Sequence, residues 1–281
     1  MTIILPGSAK NARKQERTIR PARPSRTIRK NYERALEDQA RYLKAQTANL
    51  SDILKSGAER SVVARTLATM AADAQRRAES TALSMASAFV SATDKQNKEA
   101  LQKSIATAFS VDFATVVDSP VVAGELELAI TQNVDLIKSI SNQHFGEVGR
   151  AVLDNYRGVP QVGDVSLTER LQKIGGISQN RAKFIARDQT AKLTGSLNQI
   201  RQADNGIEEY IWHNAGDRRV VGNPSGLYPR GNRVHGDHWD REGKKFKWSE
   251  PPHDGHPGHA PNCRCYAAPV LDLEKIKAQY V

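Results

Sequence analysis

The chain has 281 residues, of which 39% are hydrophobic and 26% are charged, and its net charge is +10. This composition is typical of a globular protein with one or two structural units. We expect no membrane partner, because no apolar run approaches the roughly 18 residues of a spanning helix. The start, MTIILPG, does not have the form of a secretory signal, and two cysteines do not make a disulfide scaffold. We therefore expect a protein made in a cytoplasm, with both thiols reduced.

The positive charge is concentrated at the amino terminus. Residues 1–34 carry ten basic and two acidic side chains, a net charge of +8, and the remainder is nearly neutral. In the stretch RTIRPARPSRTIR an arginine falls at every third position, and its two prolines favour an extended backbone with three residues per turn. We predict a disordered basic arm over 1–30 that binds double-stranded DNA. The alternatives are a solvated tail and a segment that lies on an acidic protein surface. The predicted DNA-binding residues are Arg13, Lys14, Arg17, Arg20, Arg23, Arg26, Arg29 and Lys30.

Apolar periodicity predicts a helical domain over 31–157. A first helix begins near Asn31, where leucines recur every seven residues. A second amphipathic segment runs from Val62 to Phe89, and a third runs from Leu101 until Ser119-Pro120 stops it. A fourth segment begins near Leu126 and continues to Tyr156. The apolar residues of these segments are interpreted as core.

Residues 158–206 are predicted to form a loop followed by two helices. Ser166 and Glu169 have the spacing of a capping box, which marks a helix start. Gly175-Gly176 is expected to end that helix, and Ser178 is expected to cap the next one, which ends near 204–206.

The composition changes over 207–281, which contain all three tryptophans and six of the seven histidines. Alternation predicts strands over 208–213 and 244–248, separated by turns rich in glycine and proline. We predict a small, loop-rich α+β domain here. The fold class is therefore mainly α, with a helical amino-terminal and middle region and a small α+β carboxy-terminal domain.

Histidines and both cysteines of this domain form a candidate metal site. Zinc prefers thiolate and imidazole ligands, and a closed zinc site would stabilise a domain with a small core. The predicted ligand set for one structural zinc ion is His235, His256, Cys263 and Cys265. The alternative is that the thiols pack as small apolar groups. A disulfide between Cys263 and Cys265 would need strained closure.

No catalytic motif stands out in the sequence. A nucleophile built from Cys263 or Cys265 and a histidine is conceivable, but no third group that would orient it is marked. Phosphate-binding loops and the common hydrolase signatures are missing from the sequence. We therefore expect a protein that is not an enzyme, and a metal-dependent hydrolase or nuclease that uses His235 and His256 is the alternative.

Several short motifs follow one another in a distinctive order over the last hundred residues. They are RAKFIARDQT (181–190), EYIWHNAGDRRV (209–220), His235, WDREGKKF (239–246) and GHPGHAPNCRC (255–265). In this order they resemble the phage Mu protein F-like head morphogenesis proteins, which are minor capsid proteins. By position, the resemblance points to Arg187, Asp217, Arg218, His235, Asp240, Gly243, Asn262, Cys263, Arg264 and Cys265. His256 lies where many members also have a histidine, and the turn from Asp240 to Gly243 is two residues wider than is common in the family.

The resemblance implies a virion protein that is assembled in the bacterial cytoplasm and lies inside the capsid. Its expected partners are the portal protein, the major capsid protein and packaged double-stranded DNA. The basic arm favours the same role independently, because packaged DNA is a dense polyanion. A DNA-binding regulator that is not part of the virion remains a further alternative, although no basic recognition helix is evident.

Overall fold

A computed structural model describes residues 16–109, 116, 118–159, 165–229 and 236–272. The helices are α1 (Arg26–Lys55), α2 (Arg60–Phe109), α3 (Pro120–Tyr156) and α4 (Leu167–Asp204), and the strands are β1 (Glu16–Thr18), β2 (Glu209–His213), β3 (Lys245–Lys247) and β4 (Tyr266–Asp272). A short 3-10 helix, His238–Arg241, precedes β3. The predicted fold class is confirmed: the protein is mainly α, with a small antiparallel sheet near the carboxyl end.

Residues 16–30 correct the prediction of a disordered arm over 1–30, of which 1–15 lie outside the described residues. Residues 16–18 form strand β1, and helix α1 begins at Arg26, five residues before the predicted start. Ile19 and Ala22, which lie in the connection from β1 to α1, are buried. The two prolines lie in the connection over 19–25, where no helical N–H is required. The sequence did not predict this strand and early helix start, because the arginine-rich segment has few apolar residues and β1 has only three residues.

Two helix boundaries differ from the prediction, each for its own physical reason. The second and third predicted segments form one helix, α2, and Asn97 within it is buried in hydrogen bonds to Asn198 and Arg201. A buried polar residue interrupts an apolar pattern without interrupting the helix. Pro120 begins α3, as its fixed φ permits at a first helical position.

Helix α4 is continuous, so the expected break at Gly175-Gly176 is wrong. The Ser166–Glu169 capping box is present: Ser166 N–H donates to Glu169 Oε2 at 2.9 Å, and Glu169 N–H donates to Ser166 Oγ at 3.3 Å. Gly175 lies against Lys44, whose Cγ would be 2.9 Å from an added Cβ. Ser178 is buried within the helix and is not a cap. The glycine therefore marks close packing rather than a helix end.

The chain divides into two compact units that do not follow the sequential domains predicted. The helical unit contains 29–89 and 130–187, and the sheet unit contains the described residues of 16–28, 90–129 and 188–272. All four helices contribute residues to both units. Sequence patterns indicate local elements, but this division depends on packing between segments far apart in the chain.

The helical unit has an apolar interior with a polar network inside it. Its α2 segment buries Ala74, Ala78, Ala82 and Ala86, one every four residues, and such small side chains allow close helix packing. Tyr32 stacks on Phe89 at 4.3 Å between ring centroids. None of the helices in the described part of the chain is long and apolar enough to cross a membrane.

The sheet of the other unit has the strand order β1-β4-β2-β3, and all its pairings are antiparallel. Strand β2 was predicted correctly, and Tyr210 and Trp212 on it are fully buried. The central strand β4 was missed. It contains Pro269, which lies just past the last residue that pairs with β1, where its carbonyl accepts a hydrogen bond from Ile19 N–H at 3.0 Å. Proline is normally excluded from a central strand because it has no N–H to donate. Here β1 is too short to pair with Pro269, so no N–H is needed on that side.

Candidate metal centre

Three buried side chains of the sheet unit form one compact group with metal-ligand chemistry. His238 begins the short 3-10 helix, and Cys263 and Cys265 directly precede β4. All three are buried, with 5–7% of each residue exposed. His238 Nδ1 lies 3.5 Å from the Sγ atom of each cysteine, and the three ligand atoms lie within 4.8 Å of one another.

These distances suit a tetrahedral metal ion. With Zn–S near 2.3 Å and Zn–N near 2.0–2.1 Å, ideal tetrahedral angles place a sulfur and a nitrogen about 3.6 Å apart. The two observed separations of 3.5 Å agree with that geometry. The group could therefore hold a metal ion without a large rearrangement.

The loop that carries the cysteines is fixed against α4. An added Cβ on Gly195 would lie 2.6 Å from Pro257 O, and one on Gly258 would lie 2.7 Å from Ala191 O, so both glycines permit close backbone approach. Asn262 has a positive φ of 59°, and its N–H donates to Asp188 Oδ1 at 2.8 Å. These contacts place Cys263 in the core directly after the turn.

The ring of His238 is held from its other nitrogen. His238 Nε2 lies 2.9 Å from Asp254 Oδ2, and Arg241 Nη1 donates to Asp254 Oδ1 at 2.7 Å. The Asp254 side chain is only 2% exposed. Because Asp254 accepts a hydrogen bond from Nε2–H, the lone pair of a neutral His238 lies on Nδ1, which faces the sulfur atoms.

Each sulfur atom also has a nearby N–H group. Gly258 N–H donates to Cys263 Sγ at 3.4 Å. The buried indole N–H of Trp212 makes no other hydrogen bond among the described residues, and it opposes the rise in the pKa of Cys265 that Cys263 and burial cause. Arg241 lies over the Trp212 ring, 4.8 Å from its centroid. Such donors stabilise thiolates, which are the form that binds metals.

The two thiols have different acidities. A hydrogen bond from Cys265, together with His238 and the Gly258 N–H, lowers the pKa of Cys263 well below its usual range. The same contact, with burial, raises the pKa of Cys265. Burial alone would lower the pKa of His238, but the Cys263 sulfur and Asp254 together raise it.

The charge of the group favours a divalent cation. Asp254 and Arg241 neutralise each other, so two thiolates would leave a buried charge of minus two. An isolated buried charge costs several kcal/mol unless it is paired. A divalent cation held by His238, Cys263 and Cys265 would balance this charge.

Cys263, His238 and Asp254 also have the order of a nucleophile, a base and an orienting carboxylate. Catalysis would require a substrate to reach the Cys263 sulfur, yet Cys263 is 7% exposed and packs among Trp212, Ala260 and other core residues. A buried position suits a structural metal ligand better than a nucleophile.

His256 does not join this group, which corrects the predicted ligand set. Its Nδ1 lies 2.9 Å from Tyr210 Oη, and its Nε2 lies 3.1 Å from Trp248 O, so both ring nitrogens are used. Burial, with the neighbouring His259, lowers the pKa of His256 to about 4. His235 lies outside the described residues. The histidine that lies beside both cysteines is His238. It is 25 residues from Cys263 in sequence, and the fold brings the two together.

Several of the residues that carry the resemblance make contacts or turns within the fold. Arg264 pairs with Asp217 at 2.6 Å, Arg218 is exposed, and Arg187 is half-buried. Gly243 adopts a positive φ of 72° at the turn before β3, which explains a glycine there. Asp240 lies in the short 3-10 helix, and the placement of Asn262 is given above.

The predicted DNA-binding residues differ in their surroundings. Arg17 donates to Ala108 O, and Arg23 lies over the Tyr266 ring at 4.3 Å, so both support the fold. Arg20 and Arg26 are exposed, with no side-chain partner among the described residues. The remaining predicted residues are Arg29, which is half-buried, Lys30, which pairs with Glu33, and Arg13 and Lys14, which lie outside the described residues.

Comparison with known proteins gives one informative similarity. Over 195 residues the chain is 32% identical to a Haemophilus influenzae protein whose name is "Uncharacterized protein". The match spans 69% of this chain but 40% of that protein, so the chain covers less than half of its relative's length. No family model matches the chain, and no solved structure matches it.

Proposed function

We propose that the protein is a minor capsid protein of a tailed bacteriophage that acts in head morphogenesis. It would lie inside the head, associate with the portal and the major capsid protein, and contact packaged DNA. The observation that carries the proposal is the ordered motif series over 181–265. From Asp188 onwards, the described residues of the series belong to one compact unit, as expected of a docking module.

The contacts made by residues of this motif series support a structural role. Asp217 and Arg264, 47 residues apart, form an ion pair. Asn262 N–H binds Asp188 on α4, and Gly243 makes the turn into β3. Each contact joins distant parts of one unit, whereas a catalyst would direct several of these polar groups towards an open cleft.

We assign a structural Zn²⁺ to His238, Cys263 and Cys265 within this function. The soft thiolate pair, the imidazole and the separations near those of a tetrahedral site favour zinc over magnesium or calcium, which prefer oxygen ligands. The ion would tie the 3-10 helix to the chain before β4. Tetrahedral coordination leaves one position beyond these three residues. Metal binding would add directly to the stability of this loop-rich region.

The DNA contact is assigned to the exposed cations of the amino-terminal region. Arg20 and Arg26 are the described members, and Arg13 and Lys14 extend the charge towards the terminus. Each phosphate contact releases counterions, so binding would weaken as salt concentration rises.

Particle composition tests the capsid function. Purified phage heads from a strain that encodes this chain, analysed by mass spectrometry, should contain it at fewer copies than the major capsid protein. A deletion should yield heads with defective assembly or packaging. Absence of the chain from finished heads, together with normal heads in the deletion strain, would overturn the proposal.

Salt titration tests the DNA contact. Replacing Arg20 and Arg26 by glutamine should reduce the slope of log affinity against log salt by up to about 1.8, since each contact contributes about 0.9. A matched variant with Arg17 and Arg23 replaced should mainly lose stability, because those side chains contact Ala108 and Tyr266. Equal slopes in wild type and the Arg20/Arg26 variant would exclude these two contacts. Incubation of the same proteins with DNA and divalent metals tests the nuclease alternative.

A further inference from the structure

Asp254 has features that a surface carboxylate lacks. It is 2% exposed, and its two oxygens have different partners: Oδ1 accepts from Arg241 at 2.7 Å, and Oδ2 contacts His238 Nε2 at 2.9 Å. Asp254 therefore lies between a guanidinium and a histidine whose other nitrogen faces two sulfurs.

The backbone also makes room for this arrangement. Gly236 has a positive φ of 61°, and an added Cβ there would lie 2.5 Å from Arg241 Nη2 and 3.1 Å from Asp254 Oδ2. Only glycine fits this conformation beside the ion pair without displacement. The glycine, the guanidinium and the carboxylate thus form a supporting layer behind His238.

We infer that Asp254, held by Arg241, is a positioning residue that directs His238 Nδ1 towards a bound metal ion. The inference rests on the zinc site proposed above. His238 Nε2–H donates a hydrogen bond to Asp254 Oδ2, which keeps the lone pair on Nδ1 and fixes the plane of the ring. Carboxylates in this position increase the basicity of a histidine ligand, and their loss weakens metal affinity by roughly 10–100-fold.

Zinc affinity of the purified full chain, measured by competition with a chromophoric chelator, tests this role. Asp254→Asn should weaken affinity roughly 10–100-fold. The matched control is Glu242→Gln, because Glu242 contacts His213 Nδ1 at 2.7 Å in a second carboxylate–histidine pair with no cysteine in it. The control should bind zinc as wild type does. An unchanged affinity in Asp254→Asn, with wild type binding zinc, overturns this inference alone. A wild type that takes up no zinc overturns the metal assignment as well.

Two spectroscopic measurements separate positioning from general damage. Cobalt-loaded Asp254→Asn should keep the absorption bands of the wild-type ligand set, although it fills at higher free metal; altered bands would make Asp254 a ligand and overturn the inference. Nitrogen-15 NMR of zinc-loaded wild type should show a proton on His238 Nε2 and the metal on Nδ1. Metal on Nε2 would overturn the inference even if the variant did not fold.

Discussion

Arg264 Nη2 donates a hydrogen bond to Asp217 Oδ1 at 2.6 Å, and this bond ties the residue between the two cysteines to the turn after β2. Asp217 also accepts from Arg219 N–H at 2.9 Å. Arg264 lowers the pKa of Asp217 below its usual range, and the backbone N–H adds to that effect. The pair thus restrains the cysteine loop from outside the core.

Asp217→Asn should reduce the stability of the sheet unit modestly. Both side chains are partly exposed, so solvent screening limits the loss to about 1 kcal/mol at low salt, and the loss should shrink as salt rises. Urea unfolding monitored by tryptophan fluorescence measures it, since all three tryptophans lie in this unit. Arg218→Gln, at an exposed neighbour, is the control. Equal losses in both variants would contradict a specific role for the pair.

Arg201→Met should destabilise the same unit far more. The Arg201 side chain is fully buried and donates to Asp118 and Asn97 at 2.9 Å each, as well as to Asp94. Its removal leaves Asp94 without this cation and Asp118 with Lys98 alone, which costs roughly 3 kcal/mol. Part of the loss should be recovered at acid pH, where the carboxylates become neutral. A loss no larger than that of Lys98→Met, which removes a half-buried partner of Asp118, would contradict this expectation.

His144 should make the helical unit less stable as pH falls. Burial lowers the pKa of His144 to about 4, and its ring bonds Thr47 Oγ1 at 2.7 Å and Ser178 Oγ at 2.9 Å. The unfolded chain binds a proton near pH 6.5 and the folded chain does not, so stability is complete above 6.5 and is lost between about 6.5 and 4. The loss from pH 7.5 to 5 is about 2 kcal/mol.

Far-ultraviolet circular dichroism during urea unfolding at the two pH values measures this effect. His144→Gln should be less stable at pH 7.5 but should lose less on acidification than wild type. His253→Gln, at an exposed histidine, should keep the wild-type pH dependence. An unchanged pH dependence in His144→Gln would show that another group carries it.

Two glycines of α4 should respond oppositely to alanine. An added Cβ on Gly195 would lie 2.6 Å from Pro257 O, so Gly195→Ala should displace the loop and cost about 1–3 kcal/mol. Gly176 has open space around the same position, and Gly176→Ala should stabilise the helix by about 0.5–1 kcal/mol. Urea unfolding compares them. A stabilising Gly195→Ala would contradict the close approach of the loop.

Much of the fold could be predicted where the signal is local. Leucine periodicity located α1 and α3, the Ser166–Glu169 pair marked the start of α4, and alternation located β2. The missed features depend on distant partners: β1 pairs with β4 from the other end of the described chain, and Gly175 accommodates Lys44. Nothing near these residues in the sequence reports such contacts.

The candidate site shows the same limit. The cysteine pair and the histidine-rich composition were visible, but the choice among histidines was not. His256 is nearer to Cys263 in sequence, yet it bonds Tyr210 and Trp248, whereas His238 reaches both sulfurs. Asp254 and Arg241 had no sequence signal beyond their residue types. The one sequence feature that could have favoured His238 is its position next to Trp239 and shortly before β3, because an aromatic residue before a strand indicates that the chain is near the core.

The zinc content of the purified chain tests the account most directly. Protein prepared without chelators should contain close to one zinc ion per chain by elemental analysis. Cys263→Ser and Cys265→Ser should each lose it together with thermal stability of the sheet unit, while His256→Gln should retain the metal. A metal-free wild type, or cysteine variants that keep both zinc and stability, would contradict the assignment.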